Sequence, residues 1–502
     1  MRQSSDNPGP RPGSRPGLRR LPRFLAALAA GVGLACAPVL APAATAATSA
    51  TKAATTSTAS VAASTTGGVL GPNVYVFTPA MSQSSIQSTL DAIATQQVPN
   101  QFGSQRYALL FEPGTYGTPA DPLNIQVGFY TEVAGLGRNP ADTTIVGQVD
   151  TFNQCTNGDQ TQCFALENFW RSVSNLTIDA AGGSGCTANT EFWAVSQAAP
   201  MRRVAVNGNV TLMDYCDGSP DYASGGFIAD SSFTGGNVIN GSQQQYIVRN
   251  SAIDDWTNGV WNQVFCGDPG APAQSFASNA GDAGGPAPYT TLATCPRTQE
   301  APYLYTDASG NFNVFVPSAQ NSTSGPSWAG GDTPGYSLPL RDFFVVSPST
   351  SVAAVNVALA LGRNLLLTPG VYQIPQTIHV LWPNTKIVGL GFPTLVPQHG
   401  NTTMDVADVP GVNLSGLIFD AGPVTSSVLL DLKGRPNLSG SLAKSDPTSV
   451  DDVFFRIGGE SAGSVKTAFV DDADYSLIDD VWSWRADHGA GAGTWAGDQG
   501  DT

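Results

Sequence analysis

Five tryptophans stand beside amide side chains at what read as corners of the chain. Trp170, Trp193, Trp256, Trp261 and Trp484 are accompanied by Gln197, Gln243, Gln244, Gln245, Asn258 and Asn262. Flat indole faces match the apolar sides of pyranose rings, and amides both donate to and accept from hydroxyls. As a set, these residues point to a cleft for a neutral glycan. Taken singly, each tryptophan also reads as a cap on a core and each amide as a rung of a ladder. The acidic runs Asp451-Asp452, Asp471-Asp472 with Asp474, and Asp479-Asp480 have the residue type of catalytic pairs, but their surroundings read as solvated corners. Asp487-His488 is a further acidic candidate, with turn stabilisation as its other reading. A P-loop and HExxH are both absent. There is no C-x-x-C, and His379, His399 and His488 are scattered, so neither a metal site nor a cofactor is expected.

The elements that position these residues occur twice. ALLFEPGTYG (Ala108–Gly117) and IQVGFYTEVAGLG (Ile125–Gly137) return as NLLLTPGVYQ (Asn364–Gln373) and IHVLWPNTKIVGLG (Ile378–Gly391). Pro113 and Pro369 are 256 residues apart, and Gly135 and Gly389 are 254 apart. Upstream, VYVFTPAMS (Val74–Ser82) matches FFVVSPSTS (Phe343–Ser351), each leading into a helix-like stretch. Near-constant spacing means a duplicated unit. Within each copy, short runs of the form apolar–x–apolar are separated by Asn, Asp or Gly, without hairpin dipeptides. That pattern suits coils stacked in parallel, which bury their inner faces only by stacking. An antiparallel sandwich pair is the alternative. The expected fold is all-β, with two tandem right-handed parallel β-helix lobes of the pectin-lyase type. The lobes are expected at 69–300 and 341–502, joined by a β-hairpin insertion and linker at 301–340.

The chain has 502 residues with 55 Gly, 36 Pro and only 12% charged residues. Residues 1–47 read as a secretory signal, with a basic stretch (Arg11 to Arg23), a short apolar run and Ala44-Thr45-Ala46 as a cleavage site. Residues 48–68 read as a disordered Ala/Thr/Ser leader. The protein is therefore expected outside the cell, free of the membrane after cleavage. The full chain carries a net charge of −16 and the signal is basic, so the remainder is still more acidic. Such a surface argues against a nucleic-acid partner. Cys155, Cys163, Cys186, Cys216, Cys266 and Cys295 give an even count compatible with three disulfides. Connectivity does not follow from sequence; sequential pairing is the expectation, since all six lie in loop-like surroundings of the first lobe.

Several strings resemble glycoside hydrolase family 55, the bacterial exo-β-1,3-glucanases or laminarinases. They include VYVFTPAMSQSSIQ, ALLFEPGTYG, NFWRSVSNLTI, FWAVSQAAPMRRV, GSQQQYIVRNS, IVGLGFPTLVP, DVFFRIGG and WRADHG, and run from about Gly68 to Gly489. The resemblance implies two tandem β-helices. It also implies inverting hydrolysis of β-1,3-glucan from the non-reducing end, in a cleft between the lobes of a monomer. By resemblance, Gln197 (in WAVSQAAP) and Ser224 (in YASGGF) belong to a relay that positions water. The binding surface would include Trp170, Trp193, Gln243, Gln244, Trp256, Asn258, Trp261, Asn262, Asp487 and His488. The family's general acid is a glutamate in motifs such as VEH that follow WRADHG. Neither that motif nor NEM occurs in this sequence, so the acid and the last coils of lobe two are expected to lie beyond Thr502. A stack ending in an unpaired coil predicts an aggregation-prone chain or one that needs a partner.

Two other functions remain open at this level. One is a glycan-binding β-helix without catalysis. The other is a polysaccharide lyase on the same fold, for which Arg171, Arg202, Arg203 and Arg485 are the candidate basic residues.

Overall fold

A computed structural model describes residues 65–66, 68–155, 163–213, 223–257, 263–277, 288–434 and 444–492. The expected signal and most of the expected leader lie outside the described residues. Two parallel β-helices follow. In lobe one, face one is a ladder of parallel strands: Val74–Phe77, Tyr107–Phe111, Thr131–Gly135, Arg171–Ala180, Met201–Asn207, Gly226–Ala229, Tyr246–Arg249, Gln263–Cys266 and Tyr289–Leu292. In lobe two the corresponding ladder is Phe343–Val346, Asn364–Leu367, Lys386–Gly389, Asn413–Asp420, Thr448–Ile457 and Ser476–Arg485. The longer strands bend and continue into face two, and separate short ladders form face three. The register keeps like with like, as in Leu414↔Val450↔Ile478.

The bends explain the recurring Asn, Asp and Gly. Asn175, Asp230 and Asn250 in lobe one and Gly416, Asp452 and Asp480 in lobe two all have φ between 50° and 68°. Asn, Asp and Gly enter that left-handed region at little cost. Arg203 sits at the same bend with φ 56°. It is held there by Asp230 at 3.0 Å and by Thr333 at 2.8 Å.

The duplicated Pro-Gly-x-Tyr motif is a clasp at the start of each lobe. The Tyr116 hydroxyl donates to Phe77 O (2.9 Å) and Glu112 O (2.8 Å), and the Tyr372 hydroxyl donates to Val346 O (2.8 Å) and Thr368 O (2.7 Å). Each clasp fastens the second coil to the first. The glycine before the tyrosine is required by close approach. A Cβ on Gly114 would come 2.2 Å from Pro79, and one on Gly370 would come 2.3 Å from Pro348. Helices α1 (Gln83–Gln97) and α2 (Val352–Ala360) cover the first coils. Their N-caps, Ser82 and Ser351, accept from Ser85 N and Ala354 N.

The insertion is antiparallel: Tyr303–Thr306, Phe312–Pro317 and Gly335–Pro339 form a three-stranded sheet. Its Leu304, Val314 and Val316 join Leu110, Ala134, Leu366 and Val388 in an apolar cluster drawn from both lobes. Disulfides link Cys155 to Cys163 and Cys266 to Cys295. Cys186 is also disulfide-bonded, while Cys216 lies outside the described residues.

Between the lobes lies a buried ionic seam. Arg202 makes a bidentate contact with Asp452 (Nε–Oδ2 2.7 Å, Nη2–Oδ1 2.7 Å) and reaches Asp479 at 3.0 Å. Arg249 bridges Glu300 and Asp479. The runs Asp451-Asp452 and Asp479-Asp480 are therefore not solvated corners. They sit at the αL bends of lobe two, which face the guanidiniums of lobe one, and Asp451 is fully buried. Asp471, Asp472 and Asp474 are exposed, as expected of corners. Arg171, Arg202 and Arg203 cannot serve a lyase either. Arg202 and Arg203 are buried and ion-paired, and Arg171 is buried with its guanidinium on Val127 O at 2.7 Å.

Burial would raise the Asp479 carboxyl, but Arg249 and Arg202 outweigh it and hold the group at about 2. Glu132 lines a cavity between the lobes, together with Ser172, Ser174, Ser415 and Asp452. Burial pushes Glu132 up to about 7, even though its carboxylate accepts from Gly391 N at 2.7 Å. Asp230 and Asp268 are likewise raised to about 7, chiefly by burial. A carboxyl whose pKa rises on folding takes up a proton on folding, so its stabilisation is complete below the unfolded value and lost as pH climbs through the folded one. Asp479 acts in the opposite sense, and its contribution is lost in acid below about 4. Stability should therefore fall as pH rises from about 5 to 7. Glu132→Gln should flatten that slope by about 1–2 kcal/mol. Denaturant titrations of both proteins across this range measure the effect.

Candidate active site

The corners that lead into face one of lobe one stack beside one another. Ala165 pairs with Ala223, and Ala223 with Gln243. Ser224 N donates to Ala165 O at 3.1 Å, and Trp170 N donates to Ala198 O at 2.8 Å. This scaffold carries Glu167, then Gln197 and Ser224. The last two form a reciprocal pair. The Gln197 amide nitrogen donates to Ser224 O at 2.9 Å, and the Ser224 hydroxyl donates to Gln197 Oε1 at 2.8 Å. Both are part-buried, so the pair is rigid yet reachable. Gln243 is fully buried and forms its floor. Its amide nitrogen donates to Val195 O and Leu212 O, each at 2.8 Å, and its oxygen accepts from Gly225 N at 2.7 Å. Gln243 thus sets the backbone next to Ser224 and does not reach a ligand, which corrects its assignment as a binding residue. Gln244 is partly exposed and is anchored through its own N–H to Ala223 O at 3.1 Å.

From lobe two, the corner after Ser476–Arg485 brings Asp487 and His488 beside Glu167. His488 Nδ1 lies 2.7 Å from Asp487 Oδ1, and Nε2 lies 3.7 Å from Glu167 Oε1. Gln101 also bonds Nε2. With the Gln101 amide donating, Nε2 accepts and Nδ1–H donates to Asp487, which fixes the tautomer. Asp487 is exposed and His488 partly so.

The tryptophans are mostly structural. Trp170 and Trp193 are fully buried, and Trp256 and Trp484 nearly so. Trp193 packs in the lobe-one core with Val195 and Met201. Trp256 donates from its indole to Gln263 Oε1 at 2.8 Å and meets Phe265 edge-on. Trp170, with φ 51°, stacks on Tyr130 at 5.2 Å, meets Trp484 edge-on at 5.5 Å and lies 5.3 Å from the Arg456 guanidinium. Trp170, Trp193 and Trp256 therefore do not line a cleft. Their indoles are consumed by the core and by the aromatic joint between the lobes. The partly exposed indole at this joint is Trp482, 4.7 Å from Phe169 and 6.1 Å from Trp484. Asn258, Trp261 and Asn262 lie outside the described residues.

Glu167, Gln101 and Trp482 were missed. Glu167 immediately precedes the string NFWRSVSNLTI, and Trp482 stands two residues before WRADHG, so the same motif strings bordered two of them. Gln101, in a loop 387 residues from His488, carried no signal. Trp170→Ala should cost about 3–5 kcal/mol of stability through the cavity it leaves. Ser224→Ala should leave the unfolding free energy within about 1 kcal/mol of wild type. Paired denaturant curves test both.

Residues 343–502 match the family model described as the LAM55 pectate lyase-like domain, and 108–270 match the pectate lyase-like domain of rhamnogalacturonase A and epimerase. The sequence is 45% identical over 430 residues to an exo-β-1,3-glucanase of Streptomyces sp. SirexAA-E; that alignment covers 85% of this chain and 65% of the relative's length. The solved structure of sacteLam55A from the same organism superposes with a TM-score of 0.74 at 44% identity, covering 84% of this chain and 71% of that one. A glutamate-to-alanine variant of sacteLam55A in complex with glucose gives 0.75 at 45% identity, with the same coverage. Two clasped β-helices, joined by an aromatic and ionic seam that ends in a polar corner, and this level of identity over most of a solved relative place the chain in glycoside hydrolase family 55.

Proposed function

We propose that this protein is a secreted exo-β-1,3-glucanase that acts on laminarin-type glucan by inversion, with the Gln197–Ser224 corner positioning the attacking water. The observation that carries the reading is the reciprocal Gln197–Ser224 pair, braced from below by Gln243. Inversion requires two carboxyl functions, one to protonate the leaving oxygen and one to receive the proton of the water. A neutral amide and a hydroxyl orient a water but do not accept its proton. Among the described residues, the carboxyl groups at this corner are Glu167 and Asp487. Glu167 lies two residues past Ala165, whose carbonyl accepts from Ser224 N, and is the group to which a relay would deliver the proton. Asp487 is exposed and already engaged with His488. The leaving-group acid by resemblance is a glutamate in motifs this sequence lacks, and the chain spans 65% of its curated relative.

The carboxyl groups at the corner and the net charge of −16 both suit an uncharged glucan over a polyuronate. Incubation with a reduced-end-labelled β-1,3-glucan oligosaccharide should release glucose from the unlabelled end, initially as the inverted anomer by NMR. Gln197→Ala should lower kcat by about a hundredfold with an unchanged fold. Saturable binding without turnover would instead establish a glycan-binding protein. Neither binding nor turnover would remove the proposal.

A further inference from the structure

At the opposite rim of lobe two, the corners that lead into face one enclose an open groove of about 700 Å³. Trp382, 52% exposed, and Tyr336, 45% exposed, form its walls. Tyr336 comes from the insertion and Trp382 from the loop before Lys386–Gly389, so two distant segments build one aromatic rim. Trp382 is fixed in place. Its indole N–H donates to Ala360 O at 3.1 Å, and its carbonyl accepts from Thr385 Oγ1 at 2.8 Å. Between the walls, Gly411 with φ 71° opens a cradle: a Cβ there would lie 2.3 Å from Asp446 Oδ2 and 2.4 Å from Asn384 Oδ1. Among the described residues, neither of these side chains makes a hydrogen bond. The nearby cation, Lys386, is buried beneath and bonded to Gly411 O.

Half-exposed aromatic faces beside an unengaged amide and carboxylate are what a sugar ring requires: apolar faces meet the rings and the polar atoms meet hydroxyls. We propose that this groove is a second, non-catalytic carbohydrate site that holds a neutral β-glucan chain. Trp382 and Tyr336 lie against the sugar faces, and Asn384 and Asp446 take the hydroxyls. The proposal rests on the glucanase reading for the identity of the glycan. A polyuronate is disfavoured, because Asp446 and the net charge of −16 would repel it. The site is distinct from the active-site corner, since the strand Ser476–Arg485 runs from this rim to Asp487-His488. It would keep a long chain on the protein while its end is worked on elsewhere.

Affinity electrophoresis through gels containing laminarin compares wild type with Trp382→Ala, Tyr336→Ala and Asn384→Ala, and a parallel gel contains alginate. Retention by laminarin should weaken about tenfold in Trp382→Ala and less in the other two, with Trp382→Phe retaining most of it. Turnover of a short soluble oligosaccharide and the thermal midpoint should match wild type in every variant. Laminarin retention equal to wild type in all three alanine variants overturns the site and leaves the glucanase reading standing. Equal retention by alginate overturns the neutral-glycan assignment. Failure of the wild type to bind laminarin at all, with no turnover, overturns both.

Discussion

The two lobes are held in one geometry by guanidiniums of lobe one set against carboxylates of lobe two. Arg202 is buried with its ion pairs divided between Asp452, Asp479 and the more distant Glu300. Removing either side of such a contact strands a charge away from water, which costs far more than the contact itself contributes. The carboxylates outnumber the guanidiniums in this seam. The surplus is absorbed by proton uptake at Glu132 and by the upward shift of Asp451 and Asp480, each driven first by burial. The arrangement fixes orientation more than it adds stability. A bidentate guanidinium accepts few misplacements of its partner.

That orientation is what creates the corner where His488 of lobe two meets Glu167 of lobe one, two residues past the Ala165 carbonyl that accepts from Ser224 N. No single lobe contains it. The aromatic joint supports the same alignment: Trp170 sits between Tyr130 and Trp484, and Arg456 reaches across to the Tyr130 hydroxyl. The indoles thereby set distances between lobes, while the polar groups at the rim remain reachable. Gln243 does comparable work inside lobe one by tying three coils beneath Ser224.

Much of the architecture was legible in the residues because solenoids repeat their constraints. The duplicated Pro-Gly-x-Tyr and the Asn, Asp or Gly between apolar triplets each correspond to one local event, a clasp or an αL bend, and each recurs. The roles of individual side chains were less legible. Whether Trp170 or Asp451 becomes interior depends on which face meets the other lobe, and that is a long-range fact with no local signature. The acidic runs illustrate this. At αL bends on a lone solenoid, Asp452 and Asp480 would be solvated; opposite Arg202 and Arg249 they are interior. The contact of Gln101 with His488 spans 387 residues and leaves no pattern in either neighbourhood.

The tyrosine clasps bear on how the chain comes off the ribosome. Tyr116 reaches back 39 residues and Tyr372 only 26, each within its own lobe. Each spiral can therefore close its first rung soon after that stretch emerges, without waiting for the other spiral. The joint between spirals comes last, so during synthesis the finished first spiral carries Arg202 with its distal carboxylate partners still unmade.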